Sequence, residues 1–279
     1  MFRWLKITLI TVAVVMGWLL LVAVPVDAVE LDLRGHFTPG GLVYGRTCGD
    51  CQVVFKGRQV PVTASGDFII GFGRDAAPAE ELLVQSPDGQ TRQEKLQLKP
   101  RDYRIQRIDG ISQRLMEPSP EDLERIRREA EEIAAVRQQL SLNRDFLEPL
   151  SWPLTGRITG VYGSQRIFNG EPRQPHFGID IAAPTGTPVR APVGGIVTYA
   201  HPGMFFAGTT LVIDHGHGLS STFLHLQEIR VEVGQEVTQG QIIATVGATG
   251  RVTGPHLDWR LNWFDVRLDP ALLAGAMPD

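Results

Sequence analysis

The sequence has few cysteines and no excess of positive charge. Only Cys48 and Cys51 occur among its 279 residues. Lys and Arg number 27 against 31 Asp and Glu, a net charge of −4 that argues against nucleic acid as a partner. Glycine and proline, in contrast, are abundant, with 30 and 19 residues. Many turns are therefore expected, which favours β structure over a helix bundle.

Charge is also absent from residues 7–24, an apolar run that follows Arg3 and Lys6. Residues 1–28 are predicted to be a secretory signal peptide, cleaved after Ala28. The run is also long enough for an uncleaved anchor, and only then would the membrane be a partner. No cysteine follows directly, so a lipoprotein is not expected. Either way, the rest of the chain is predicted to be periplasmic or otherwise extracytoplasmic.

The two cysteines form a C-x-x-C pair in the stretch Y-G-R-T-C-G-D-C-Q-V-V-F. In an oxidising compartment this pair favours a structural disulfide. Free or redox-active thiols are an alternative, although the β-like flanks lack the helix N-terminus of a thioredoxin-like site. A metal site is a third alternative, but it would need two further ligands. The same flanks predict that Gly49-Asp50 is the tip of a hairpin.

Residues 29–110 contain short alternating apolar stretches between turn signals such as Ser65-Gly66 and Asp88-Gly89. A spacing of about ten residues is typical of a small β-sandwich. The region carries no cluster of histidines or acidic residues. The prediction is therefore a spacer or a wall-contacting module.

Residues 118–148 predict an amphipathic helix that links two domains. Ser119 is placed to cap it, Pro120 suits its first position, and apolar residues follow at intervals of three or four. Its charged face is expected to be solvated. Residues 151–279 consist of strand-like runs separated by glycine and proline, which predict an antiparallel β domain. The fold as a whole is predicted to be mostly β.

The last domain holds six of the seven histidines, so metal or acid-base chemistry is expected there. They are His176, His201, His215, His217, His225 and His256. On a strand, His256 and Asp258 would point to the same side. His176 and Asp180 would lie about 13 Å apart on a straight strand. Sharing a metal therefore requires a bend between them, which Gly178 permits.

Three segments match, in order, the pattern of a known family. They read His176-Phe177-Gly178-Ile179-Asp180, Phe223-Leu224-His225-Leu226 and Gly254-Pro255-His256-Leu257-Asp258. The domain resembles the LytM or lysostaphin type of zinc metallopeptidases, peptidase family M23. The pattern of that family runs H-x-G-x-D, Y-x-H-L and G-x-x-x-G-x-H-L-H. The resemblance covers residues 152 to 270.

The resemblance implies a LytM-type peptidase domain with one zinc ion per chain, another divalent metal being an alternative. His176, Asp180 and Asp258 occupy the positions of the metal ligands. His225 and His256 match the catalytic pair that handles the proton of a metal-activated water and stabilises the oxyanion. The implied function is an exported zinc metalloendopeptidase that hydrolyses peptide cross-links of peptidoglycan, which would be its partner.

Asp258 departs from the family, whose pattern has a histidine at this position. An aspartate oxygen binds zinc at nearly the distance of a histidine nitrogen, so Asp258 can still be a ligand. Two carboxylates would make the metal a weaker Lewis acid, which predicts slower or alkaline-shifted activity. Arg260 would face the same side, where it either orients the carboxylate or competes with the metal for it.

The departure at this position leaves a second function open. Some LytM-like domains have lost metal ligands and are catalytically inactive regulators that bind the cell wall and activate another hydrolase. The predicted helix would suit such a regulator. The other four positions of the pattern are intact, which favours the enzyme.

Overall fold

The computed structural model describes residues 29–109 and 119–278. The predicted signal peptide, residues 1–28, and the first residue of the predicted linker helix lie outside the described residues. Within the described ranges, no helix is long and apolar enough to cross a membrane. The fold is mostly β, as predicted.

The N-terminal region contains eight strands. They are β1 (Asp32–Gly35), β2 (Leu42–Arg46), β3 (Gln52–Phe55), β4 (Arg58–Val60), β5 (Asp67–Gly71), β6 (Ala79–Gln85), β7 (Thr91–Gln97) and β8 (Ile105–Ile108). One sheet has the order β1-β2-β5, and a second has the order β4-β3-β6-β7. These two sheets occupy the region predicted as a small β-sandwich, and the sandwich packing itself stays a prediction.

Cys48 and Cys51 form a disulfide, one of the alternatives that the sequence left open and the one it favoured. The predicted hairpin at Gly49-Asp50 is wrong. Strand β2 pairs with β1 and β5, whereas β3 pairs with β4 and β6. The disulfide therefore lies in a connection between two sheets. Alternation of apolar residues predicts that a segment is a strand, but it does not select the strand with which it pairs.

Helix α1 spans Pro120–Gln138 and begins as predicted. The Ser119 hydroxyl accepts a hydrogen bond from the backbone N–H of Asp122, and Pro120 is the first helical residue. The helix ends well before residue 148. Beyond it, the Ser141 carbonyl accepts a hydrogen bond from the His217 N–H. Since this part of the chain bonds to the C-terminal domain, it does not continue the helix.

The C-terminal domain contains twelve strands and the short helix α2 (Pro270–Ala274). The strands are β9 (Arg157–Gly160), β10 (Gln165–Phe168), β11 (Glu171–Pro172), β12 (Ile179–Ala182), β13 (Pro188–Arg190), β14 (Gly195–Met204), β15 (Gly208–Gly216), β16 (Leu219–Ile229), β17 (Glu236–Val237), β18 (Ile242–Val246), β19 (His256–Trp263) and β20 (Val266–Leu268). Ten of them form one sheet around the order β17-β14-β15-β16-β19-β12-β9. Strands β10 and β11 instead join β8 of the N-terminal region.

The two faces of the large sheet differ. Phe223 of β16 lies opposite Trp259 of β19, and both are fully buried in the main core. Neighbouring positions point the other way, because side chains alternate along a strand. We call this second face the polar face. On this face Asp180 of β12 pairs with Asp258 of β19. Arg260 of β19 pairs with Thr222 of β16, and Thr222 pairs in turn with Val212 of β15.

The N-terminal region shares its core with the C-terminal domain. The rings of Phe55 and Trp263 are 6.1 Å apart. A Cβ at Gly71 would lie 2.9 Å from a Leu268 methyl carbon, so the backbone of β5 packs tightly against β20. Buried residues of both regions form one continuous cluster. Apolar packing therefore joins the two regions, 29–110 and 151–279, that the sequence predicted as separate domains.

Phe55→Ala is expected to lower the free energy of unfolding by about 3–5 kcal/mol, because it removes a fully buried ring from this shared core. Denaturant unfolding followed by tryptophan fluorescence and by far-UV circular dichroism should give one coincident transition at lower denaturant. Leu83→Ala is the control, since Leu83 is 40% exposed on neighbouring β6. Two separate wild-type transitions, one insensitive to Phe55→Ala, would contradict the shared core.

Candidate metal centre

Two aspartates lie directly opposite each other on the polar face. The register pairs Asp180 of β12 with Asp258 of β19, and such paired residues have Cβ atoms about 4.5–5.5 Å apart. Like charges in this position destabilise a sheet. Asp258 is only 2% exposed, so water screens the repulsion poorly. The arrangement requires compensating positive charge, and it favours a cation held between the two carboxylates.

Two glycines make room for these carboxylates. Gly160 of β9 lies opposite Asp180, and a Cβ there would be 2.1 Å from Asp180 Oδ2. A Cβ at Gly178 would be 2.2 Å from Asp258 Oδ1. Both distances are shorter than real Cβ contacts. Only glycine at the two positions therefore allows both carboxylates to keep their places.

His176 completes the group. Its Nε2 lies 3.2 Å from Asp180 Oδ1, so the chain bends before β12 as the sequence analysis required. Both atoms are buried, and neither has a hydrogen-bond partner among the described residues. Ligand atoms of His176, Asp180 and Asp258 lie within 4.8 Å of one another. Two unpartnered ligand atoms and a third ligand atom from the Asp258 carboxylate, at this spacing, fit one divalent cation.

Charge also links the members of this group. Burial by itself would lower the pKa of His176, but the carboxylates of Asp180 and Asp258 raise it above its ordinary value. Burial would raise the pKa of Asp258, but the Arg260 guanidinium holds it below its ordinary value. Asp258 is therefore ionised at neutral pH and available as an anionic ligand.

Arg260 forms a bidentate salt bridge with Asp258. Its Nε donates to Oδ1 at 3.0 Å and its Nη2 donates to Oδ2 at 2.6 Å. A carboxylate has about four lone-pair positions, so these bonds leave capacity for a metal. The Asp258–Arg260 pair is formally neutral, as a neutral histidine at position 258 would be. The weaker Lewis acidity predicted from Asp258 stays a prediction, and the charge of Arg260 acts against it.

A bulge in β16 turns His225 toward the metal group. Leu224 lies opposite Asp258, so in a regular strand His225 would point away from the polar face. At the bulge, the two residues Leu224 and His225 lie opposite the single residue Thr210 of β15. His225 has a left-handed φ of 63°. Its ring centre consequently lies 4.9 Å from that of His256. Local backbone strain of this kind is common at functional sites.

Backbone carbonyls orient both rings. His225 Nδ1 lies 3.0 Å from the Thr249 oxygen, and His256 Nδ1 lies 2.9 Å from the Gly254 oxygen. Each Nδ1 therefore carries the proton in the neutral ring, which leaves Nε2 as a proton acceptor. His256 Nε2 is 3.8 Å from Asp180 Oδ1. Burial lowers the pKa of His225, so at neutral pH the ring is uncharged and its Nε2 is free of a proton.

Comparisons with known proteins identify the family of the chain. Residues 174–270 match Peptidase family M23. A candidate M23 peptidase from Pseudomonas aeruginosa, known from a crystal structure, is 30% identical, with a TM-score of 0.65 over 87% of this chain and 96% of that chain. The chain belongs to peptidase family M23. The family predicted from the three sequence motifs is thus confirmed.

Curated relatives of this M23 chain match part of its length. Peptidoglycan DD-endopeptidase ShyA of Vibrio cholerae is 48% identical over 108 residues, which cover 38% of this chain and 24% of ShyA. DD-carboxypeptidase/endopeptidase Mpg of Neisseria meningitidis is 37% identical over 105 residues, which cover 37% of this chain and 24% of Mpg. The match thus spans about a quarter of the length of these relatives.

Three other histidines of the M23 domain lie apart from the metal group. His215 is fully buried, with Nδ1 2.7 Å from the Gly194 oxygen and Nε2 2.8 Å from Ser221 Oγ. Burial lowers its pKa to about 4, so it is a neutral core residue. His217 bonds to the Pro61 oxygen, and His201 accepts a hydrogen bond from a backbone N–H. All three have structural roles.

Gly160 was not identified from the sequence. Its role depends on the pairing of β9 with β12, which no local pattern predicts. The bond between His225 and the Thr249 carbonyl was missed for the same reason, because a backbone oxygen leaves no signal in residue type. Both features depend on contacts between distant parts of the chain.

Gly160→Ala is expected to weaken the binding of a divalent cation by about tenfold or more, because the new methyl group would displace the Asp180 carboxylate. Titration calorimetry of the metal-free protein with Zn²⁺ measures the effect. Gly203→Ala is the matched control, since a Cβ there meets nothing within 4 Å. Unchanged affinity in a folded Gly160→Ala variant would exclude Asp180 as a ligand.

Proposed function

We propose that this chain is an extracytoplasmic zinc metalloendopeptidase that hydrolyses peptide cross-links of peptidoglycan. The observation that carries the proposal is the group of His176, Asp180 and Asp258, whose ligand atoms lie within 4.8 Å of one another, with two more imidazoles beside it. Membership of family M23 and the printed names of the relatives support the reaction and the substrate class. The predicted signal peptide supports the location.

His176, Asp180 and Asp258 are proposed to hold the metal. One imidazole nitrogen and two carboxylate oxygens suit zinc, and another divalent metal is the alternative. When bound, the ion supplies Lewis acidity, which activates water and polarises the scissile carbonyl. Arg260 keeps the Asp258 carboxylate in one orientation and balances its charge.

His225 and His256 are proposed to move the proton. Each ring holds its own proton on Nδ1 against a backbone carbonyl and presents Nε2 as the acceptor. Once protonated at Nε2, a ring can donate to the negative charge that develops on the carbonyl oxygen, or to the departing amine. The buried setting strengthens both interactions, because less water competes.

The proposed target is the cross-link between D-alanine and meso-diaminopimelate. The name DD-endopeptidase, carried by ShyA, supports a bond between two D-centres. Hydrolysis would leave a free D-alanine carboxylate on one strand and a free amine on the diaminopimelate of the other.

Cleavage of isolated peptidoglycan tests the proposal directly. The mature chain should release fragments whose masses correspond to hydrolysed D-alanine–diaminopimelate bonds. A chelator should abolish the release, and added Zn²⁺ should restore it. His225→Ala should retain metal but lose about 10²- to 10⁴-fold in rate. If no fragments appeared with any divalent metal across neutral and mildly alkaline pH, the inactive regulator would be the correct description.

Metal affinity distinguishes a working Asp258 from one that only pairs with Arg260. Asp258→Ala should weaken Zn²⁺ binding by more than about 100-fold, since loss of an outer partner alone costs up to that factor. Arg260→Gln should weaken Zn²⁺ binding by at most about 100-fold, because it removes the partner that orients Asp258 and leaves the ligand itself in place.

Calorimetry of both variants measures the two effects. Arg128→Gln, which removes an exposed arginine from α1, controls for a general change of charge. If Asp258→Ala bound Zn²⁺ as the wild type does, Asp258 would be only the partner of Arg260 in a salt bridge.

A further inference from the structure

Helix α1 covers part of the polar face. Ile133 packs with Met204 of β14 and Val212 of β15 in a small apolar cluster separate from the main core. The Glu129 carboxylate accepts a hydrogen bond from the Phe205 N–H at 2.8 Å. The helix is thus fixed to the sheet along its length, and its last turn lies toward β16.

Arg137, in that last turn, reaches the neighbourhood of the metal centre. Its Nη2 donates to Thr222 Oγ1 at 3.4 Å. Thr222 of β16 lies directly opposite Arg260 of β19, and Arg260 binds the proposed ligand Asp258. The Nε of Arg137 is buried and has no hydrogen-bond partner among the described residues.

A third arginine approaches from the other side. Arg267 of β20 pairs in register with Asn262, which shares the polar face with Arg260, and its Nη1 donates to Asn262 Oδ1 at 3.2 Å. Its guanidinium carbon lies 5.6 Å from the centre of the Phe177 ring, beside His176. Arg137, Arg260 and Arg267 therefore form an arginine cluster next to the metal centre.

The arginine cluster has too little negative charge around it. Among the described residues, the only salt bridge of the cluster joins Arg260 to Asp258. Burial, and then the charges of the other arginines, lower the pKa of Arg137 and of Arg267. A guanidinium nevertheless stays protonated in proteins. A metal ion next to the cluster would add further positive charge. Such a site stabilises an anion.

We propose that the arginine cluster binds a free carboxylate of the substrate on the amine side of the scissile bond. This inference rests on the proposed function. In a D-alanine–diaminopimelate cross-link, the carbon attached to the scissile nitrogen bears a free carboxylate. On the acyl side, the carboxyl group is the scissile carbonyl itself. The only carboxylate next to the reacting atoms is therefore on the residue that supplies the departing amine.

The dimensions agree with this assignment. The Cα atoms of Asp258 and Arg260 lie about 7 Å apart along β19, and the Arg260 guanidinium reaches back to the Asp258 carboxylate at 2.6 Å. The amine-side carboxylate is separated from the scissile nitrogen by a single carbon, so a substrate bound at the metal centre would carry it close to the arginines. Guanidinium groups bind carboxylates through paired hydrogen bonds, whereas a neutral carboxamide would not compensate their charge. The cluster thus selects cross-links with an ionised amine-side residue.

Two cross-linked peptide substrates test the inference. They differ only in whether the amine-side residue carries a free carboxylate or a carboxamide. The wild type should prefer the carboxylate by about 10- to 100-fold in kcat/KM, the range expected from hydrogen bonds to a charged group. Arg137→Gln should lose most of this preference through a higher KM for the carboxylate, with the carboxamide cleaved as before. Arg137→Lys should recover part of it.

Controls separate recognition from a structural role. Arg128→Gln, on the exposed side of the same helix, should keep the wild-type preference. If Arg137→Gln slowed both substrates equally, Arg137 would only hold the helix, and the inference would be wrong. Equal cleavage of both substrates by the wild type would overturn it while leaving the proposed function intact.

A binding measurement separates this inference from the proposed function. Calorimetry on metal-free protein would use the amine-side product in its carboxylate and carboxamide forms. If neither substrate were cleaved, tighter binding of the carboxylate, lost in Arg137→Gln, would still support the arginine cluster. Equal binding of the two forms would contradict it.

Discussion

The repulsion between Asp180 and Asp258 constrains the rest of the site. Two carboxylates directly opposite each other in a sheet are unfavourable unless positive charge compensates them. The neighbouring structure is arranged around this pair. Gly160 and Gly178 leave space for the oxygens, and the chain bends so that His176 Nε2 reaches the same point. The energetic cost of the pair explains why the site fits a cation.

Asp258 and Arg260 together carry the same formal charge as a single neutral histidine. The carboxylate adds a negative charge, and the guanidinium two residues later removes it. The alternation of a β-strand places both side chains on one face, so the compensation needs no distant residue. Asp258 stands where the family pattern has a histidine, and without Arg260 it would add a negative charge to the metal centre. With Arg260, the formal charge of the centre is unchanged.

Helix α1 packs on the large sheet and also carries Arg137, a residue of the proposed substrate site. Ile133, one of the regularly spaced apolar residues of the predicted helix, is buried against the large sheet together with Glu129. The same docking places Arg137 beside Thr222, next to the metal group. Because one helix carries both sets of contacts, a change in how it docks would also change the positive charge around the proposed substrate site.

The sequence by itself determined the local features. Turn residues and alternation predicted the strands, Ser119 and Pro120 predicted the start of α1, and spacing placed His256 and Asp258 on one side of a strand. Tertiary structure decided which segments meet. The bulge that turns His225, the opposition of Asp180 and Asp258, and the separation of β2 from β3 all depend on pairing between distant strands. The period of a pattern specifies a strand and its two faces, whereas register and partner follow from packing of the whole chain.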